Sequence, residues 1–385
     1  MENVGFLGIV AGMIARFWPV WIVIALILVG QWRYKKRLGL FGQLFNTKIG
    51  TAGVLLCVFW VFTAVFAGTI APFGPTEQSS IMQNALPGAV EPNTLKVYLL
   101  GGDQLSRDVF SRMVHGARVV LTIAPAATLI AILVGATLGL PAGYLGGRID
   151  SILSFLANLV LAFPVILLFY LLVTPGIRET SIPKWMAGIL FLFPILFFLV
   201  LFVSKFRLQP ARLAVFAGVT VLFGGWLYAG LVFNADPLGL VKIDSNELNI
   251  FVAVVFASSP GVYRIVRGLV MDIQTRDYIA AAQTRGESPW YIMLWELLPN
   301  ARGPLIVDAC LRIGYTTILL GTLGFFGLGM GPESPDWGTA IKDGSQPAQL
   351  RLYIWQGLVP AIALMSLVLG LNLLADSLRE ESLKD

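Results

Sequence analysis

Residues Asp277–Asn300 read DYIAAAQTRGESPWYIMLWELLPN, a polar and charged island between two long apolar runs. The local chemistry predicts helix, turn, helix. Asp277–Arg285 is built of good helix formers, with Asp277 where a helix N-terminus favours an acid. Gly286 supplies the break, because positive φ carries no steric penalty at glycine. Ser288 can cap a second helix with Pro289 at its first position, and Pro299 marks a boundary before the next apolar run. Ala280, Ala281 and Ala282 form a face free of bulky side chains, suited to a groove on another protein. On residue chemistry alone, a loop that packs only on its own bundle fits equally well.

The flanking runs decide the class. Hydrophobic residues make up 57% of the 385 positions and charged residues only 13%, against about 25% charged in a soluble domain. Mean hydropathy is +0.79, and several runs exceed the roughly 18–20 apolar residues that cross a bilayer as a helix. The chain is therefore read as an all-α polytopic membrane protein. About nine spans are expected, at 6–31, 50–71, 119–143, 151–174, 185–204, 212–234, 248–268, 302–328 and 355–377. Arg16 interrupts the first, which is either a tilted span or an interfacial helix followed by a short crossing.

The net charge of +5 points to membrane topology and not to nucleic acid. Arg33, Lys35, Lys36, Arg37 and Lys48 share one connection, Arg148 lies in a second, and Lys205, Arg207 and Arg212 in a third. Arg264, Arg267, Arg276, Arg285 and Arg302 surround the opening stretch. Alternating the spans puts all of these on one side, which the positive-inside rule makes the cytoplasm. Glu77, Glu91, Asp103, Asp236, Asp244, Glu247, Glu333 and Asp336 fall on the other. Parity then places the C-terminus inside and the N-terminus outside. Cys57 and Cys310 sit within apolar runs and read as small core residues. His115, the only histidine, has no second His or Cys ligand beside it and reads as structural. No G-x-x-x-x-G-K-[ST] phosphate loop, metal-ligand spacing or nucleophile–base pair occurs, so an enzyme reading has little support.

The island resembles the EAA loop of ABC-importer permeases, in which an EAA triplet, a later glycine and a Leu-Pro pair recur. Ala280 stands at the Glu position, and Ala281, Ala282, Gly286, Leu298 and Pro299 match; Glu296 stands where a basic residue often sits. More of the chain is similar to the oligopeptide/dipeptide/nickel branch, and within it to the C-type, or second, permease subunit. Gly102–Arg112 resembles that branch's G-T-D-x-x-G-R-D-x-x-S-R signature, with Gly102 for Thr and Ser106 for Gly. Gly143–Asp150, Phe163-Pro164, Ser259–Arg264, Phe325–Gly329, Pro335–Gly338 and Pro360 through Arg379 follow in order.

The resemblance implies a type I ABC-importer-like transmembrane domain with six shared core spans and about three extra. Its parts would be an extra N-terminal span and basic linker over 1–49 and a first core part over 50–177, containing an external segment 72–118. An inserted helix pair over 178–247, expected at the periphery, would precede a second core part over 248–385 with its coupling loop at 269–301. Coupling would fall to Asp277, Tyr278, Ala280, Ala281, Ala282, Gln283, Gly286, Glu287, Leu298 and Pro299. The implied partners are ABC ATPase subunits holding ATP and Mg, a homologous permease completing a heterodimer, an external solute-binding protein, and membrane lipid. The implied site of action is a bacterial or archaeal cytoplasmic (inner) membrane. The implied cargo is peptide, with nickel chelates or other small solutes as the alternative within the family. An ion-gradient-driven secondary transporter is the rival class, since its mark is ionisable groups near the midplane.

Two charged groups stand apart. Asp103, Arg107, Asp108 and Arg112 suggest an amphipathic helix at the outer interface, serving either as an anchor or as a contact for a solute-binding protein. Asp308 and Arg312 lie four apart within an apolar span, either facing the pathway or the partner permease, or neutralising one another in a structural role.

Overall fold

The computed structural model describes residues 4–34, 40–178, 180–239, 245–331 and 333–382. Lys35, Lys36, Arg37 and Asp244, used above to orient the chain, lie outside the described residues. Apart from one antiparallel ribbon, Ala89–Val90 with Val97–Tyr98, the regular structure described is helical. Among the described residues, seven helices are long and apolar enough to cross a membrane: Lys48–Val65, Val109–Leu145, Ile182–Phe206, Pro210–Phe233, Asn246–Ile273, Arg302–Phe325 and Trp355–Glu380. Two bent pairs raise the number among the described residues to nine if each pair is one span.

Both bends fall at identifiable residues. Phe6–Arg16 meets Trp18–Gln31 at 59°, and Arg16 closes the first helix, where the helix dipole favours a cation. The expected span 151–174 is likewise two helices, Gly147–Ala162 and Val165–Leu172, bent by 80°. Pro164 causes it: the residue before a proline is driven to extended backbone, and Phe163 has φ −82° and ψ 130°. A third boundary also moves. Helix Val109–Leu145 begins inside the segment 72–118 that the sequence reading set wholly outside the spans. At 1.5 Å per residue its 37 residues are about 55 Å long, well beyond a hydrocarbon core of about 30 Å.

The chain divides into two compact units, one running to Pro125 and resuming at Cys310, the other Ala126–Ala309. In the first, helix Lys48–Val65 lies along Trp355–Ser382. Backbones touch there: a Cβ on Gly53 would meet the Leu374 nitrogen at 2.6 Å. Trp60 packs edge-on against Trp337, with ring centroids 5.1 Å apart, and donates to the Ser366 hydroxyl. Small residues at a helix interface permit this approach in lipid, where van der Waals contact replaces the hydrophobic effect.

The second unit uses the same device in register. Gly135, Gly139 and Gly143, four apart on Val109–Leu145, face Val262, Val266 and Val270, four apart on Ser245–Ile273. A Cβ on Gly139 would meet the Val266 Cβ at 2.9 Å. The Asp277–Asn300 hairpin follows directly from this helix. Helix Ile182–Phe206, expected at the periphery, instead places Phe197 in the core that holds the hairpin.

Candidate functional site: the Asp277–Asn300 hairpin

The first arm is helix Asp277–Thr284, with Asp277 in its first turn. It ends as local chemistry demands. Gly286 has φ +78°, its N–H bonds the Gln283 carbonyl at 2.9 Å, and the Glu287 N–H reaches back to the Ala282 carbonyl at 3.3 Å. That pair of bonds is the Schellman closure, which needs left-handed backbone at the glycine. Ser288 then accepts from the Tyr291 N–H, and Pro289 opens the second arm. The second arm runs as Pro289–Tyr291, a π-helical turn Ile292–Leu297, and Leu298–Asn300. Pro299 is exposed within its last turn, and Ala301 separates it from helix Arg302–Phe325.

One face of each arm is core. Ile279 and Ala282 of the first arm, with Ile292, Met293 and Leu297 of the second, are buried against Val266, Val270 and Ile273; Tyr278 and Leu298 pack at the margin. Truncating a side chain such as Ile279 in this setting costs on the order of 2–5 kcal/mol, so the hairpin is held as a body and is not a free loop. Burial pushes the Tyr278 phenol up, which keeps it neutral. The alanine triplet does not form one exposed face: Ala280 and Ala281 are exposed, whereas Ala282 is fully buried. The presented surface is therefore Ala280, Ala281, Gln283, Thr284 and Arg285. A helix that buries one face must turn an i+3/i+4 partner inward, and Ala282 falls with Ile279.

Polar contacts fasten the body. Arg285 donates to Glu296 at 2.9 Å across the two arms and lies 3.9 Å from Glu287. Glu296, the departure from the resembling family, thus has a partner within the hairpin. Gln283 donates to the Tyr144 phenol at 3.0 Å. Just above the hairpin, Arg267 pairs with Asp150 through two bonds, one of 2.6 Å, and Tyr263 joins Ser154 at 2.9 Å in the same cluster. Trp295 donates to Ser204 at 3.2 Å, with the Lys205 ammonium 3.8 Å from its ring centroid. Sequence reasoning gave none of Tyr144, Asp150, Arg267, Ser204 and Lys205 a place beside the hairpin; Tyr144 and Asp150 fell inside the Gly143–Asp150 motif, Arg267 and Lys205 among the basic residues that orient the chain, and Ser204 carried no signal.

The other sequence-predicted residues lie elsewhere. Asp103, Arg107, Asp108 and Arg112 do not form an amphipathic interfacial helix; all four are buried, and the first three lie in a turn before helix Val109–Leu145. Asp103 accepts from the Leu105 and Arg107 amides at 2.8 and 2.9 Å and from the Arg107 guanidinium at 2.7 Å. Arg112 bonds the carbonyls of Pro75 and Ser334. Buried charge demands such partners, and Ser106 takes φ +62° to close the turn. Asp308 and Arg312 are half-buried on helix Arg302–Phe325. Among the described residues no group of three or more His, Cys, Asp or Glu could hold a metal ion.

A family model described as the binding-protein-dependent transport system inner membrane component matches residues 135–380, the hairpin included. The chain belongs to that family. The permease is 29% identical to a di/tripeptide transport system permease protein of Pseudomonas aeruginosa, over 90% of this chain and 92% of that one. It is 26% identical to a dipeptide transport system permease protein of Haemophilus influenzae, over 85% and 88% respectively. A glutathione transport system permease protein of Pectobacterium atrosepticum is 27% identical over 73% and 70%. The permease is thus a multi-pass inner-membrane transport subunit with a type I ABC-importer transmembrane domain, and ATP hydrolysis belongs to a separate chain. Membership also brings the two general partners of such systems, an ATPase and a binding protein.

Proposed function

We propose that this permease is the C-type subunit of an ATP-driven peptide importer, and that Asp277–Asn300 is its coupling hairpin. The carrying observation is a body buried on one side whose opposite side, Ala280, Ala281 and Gln283, is small and open. A partner ATPase, holding ATP and Mg, would take that face; no nucleotide is expected on this chain. The exposed side chains of Arg276 and Arg285 support a cytoplasmic hairpin. That orientation puts the C-terminus inside and the N-terminus outside. A second, homologous permease completes the pathway, and Asp308 and Arg312 face either that pathway or the second permease. Alanine at either position with uptake, insertion and assembly unchanged sinks this last assignment.

The peptide class rests on the names of the relatives, which transport di- and tripeptides, dipeptides and glutathione. Deleting the permease from its host and restoring it tests the class: labelled dipeptide uptake is lost and regained. Loss of nickel-chelate uptake with dipeptide uptake intact would reverse it.

A further inference from the structure

Helix Ile182–Phe206 ends against the second arm of the hairpin. Its Ser204 hydroxyl donates to the Leu201 carbonyl at 2.9 Å, which leaves the oxygen's lone pairs for the Trp295 indole N–H at 3.2 Å. The next residue, Lys205, holds its ammonium 3.8 Å from the centroid of the same ring, within cation–π range. Trp295 sits inside the π-helical turn Ile292–Leu297, a register defect of the kind found at functional sites. About two turns further into its helix, Phe197 is buried in the same core cluster as Ile279, Met293 and Leu297. The clamp extends to the following helix, Pro210–Phe233. Phe216 stacks on Phe202 and Phe206 with both centroid distances 5.0 Å, and lies at 6° to the Phe206 ring.

We infer that the helix pair Ile182–Phe206 and Pro210–Phe233 is a brace that positions the coupling hairpin, with Ser204 and Lys205 holding Trp295 as positioning residues. The inference rests on the coupling reading above. The π turn Ile292–Leu297 is a local departure from α-helical geometry within the second arm. A polar clamp at its middle residue fixes the angle at which the first arm meets a partner. Force on the hairpin then passes into the helix pair instead of being lost as local slippage.

The test uses the complete importer in proteoliposomes, reading labelled dipeptide taken up per ATP hydrolysed, normalised to assembled complex. Lys205→Met keeps the alkyl stem and removes the charge; with Ser204→Ala it lowers that ratio roughly fivefold, the scale of a lost cation–π contact. Lys205→Arg restores it, which a merely structural defect would not allow. Hydrogen exchange of the Ile292–Leu297 amides accelerates in the same double variant, and this arm is independent of transport. An unchanged ratio or unchanged exchange overturns the brace. Gly286→Val separates the two ideas. If it leaves uptake coupled, the coupling reading fails, and exchange alone then judges the clamp. If it uncouples while the Ser204/Lys205 variant does not, the brace is wrong and the coupling reading stands.

Discussion

Gln283 donates its side-chain amide to the Tyr144 phenol oxygen at 3.0 Å, although 139 positions separate them in the chain. The bond ties the open face of the first arm to the last turn of helix Val109–Leu145. That helix is in turn locked to Ser245–Ile273 by the three-glycine, three-valine seam. On the proposed coupling reading, displacement of the hairpin by a partner would be carried into two long helices.

The cap at Gly286 carries that rigidity. A Cβ there meets nothing within 4 Å, so the only obstacle to substitution is φ +78°. Gly286→Val forces a β-branched residue into left-handed backbone, at a cost of about 1–2 kcal/mol, and opens both closing bonds. Uptake per ATP falls about tenfold, the factor that 1.4 kcal/mol represents. Gly286→Asn, which tolerates this backbone, retains most of it. Parallel ATPase and uptake assays of the reconstituted importer check both variants.

The two exposed alanines and the buried one behave differently under labelling. With Cys57 and Cys310 replaced by alanine, Ala280→Cys and Ala281→Cys react with a hydrophilic maleimide, and binding of the ATPase protects them. Ala282→Cys, at a fully buried position, stays unreacted in the folded protein. Mass spectrometry of the labelled chain reads the pattern.

Acid favours the folded state at Asp108. Burial pushes this carboxyl up to about 6 from its ordinary 3.8, against the pull of two Ser111 hydrogen bonds. The folded state therefore holds the proton more tightly than the unfolded chain. Its contribution, on the order of 3 kcal/mol at full extent, is present below pH 3.8 and is lost as pH rises through about 6. Burial raises Asp336 and Asp343 in the same direction, so the informative quantity is a difference. Thermal unfolding of the detergent-solubilised protein, followed from about pH 4 to 7, rises with acid. Asp108→Asn flattens part of that rise.

What could be read from the sequence was local. Gly286, Ser288 and Pro289 specify their turn and cap by their own chemistry, and apolar length marks the spans. The Pro164 bend was equally local and was passed over because hydropathy averages across it. Long-range partners were beyond that reading. Nothing near Arg267 in sequence points to Asp150, 117 positions away, nor does Trp295 point to Ser204, 91 positions away. Arg107, Asp108 and Arg112 misled for a related reason: charge beside a span reads as interfacial until Asp103, Pro75 and Ser334 are seen to satisfy it. The alanine triplet failed on geometry, since three consecutive helical residues cannot share one face.

The central claim is that a separate ATPase drives this permease through the hairpin. The direct measurement is labelled dipeptide uptake into proteoliposomes holding the permease, its partner permease, the ATPase and the binding protein. The account predicts uptake that requires ATP and the ATPase and persists when ionophores collapse every ion gradient. Uptake driven by an imposed ion gradient without ATP would contradict it.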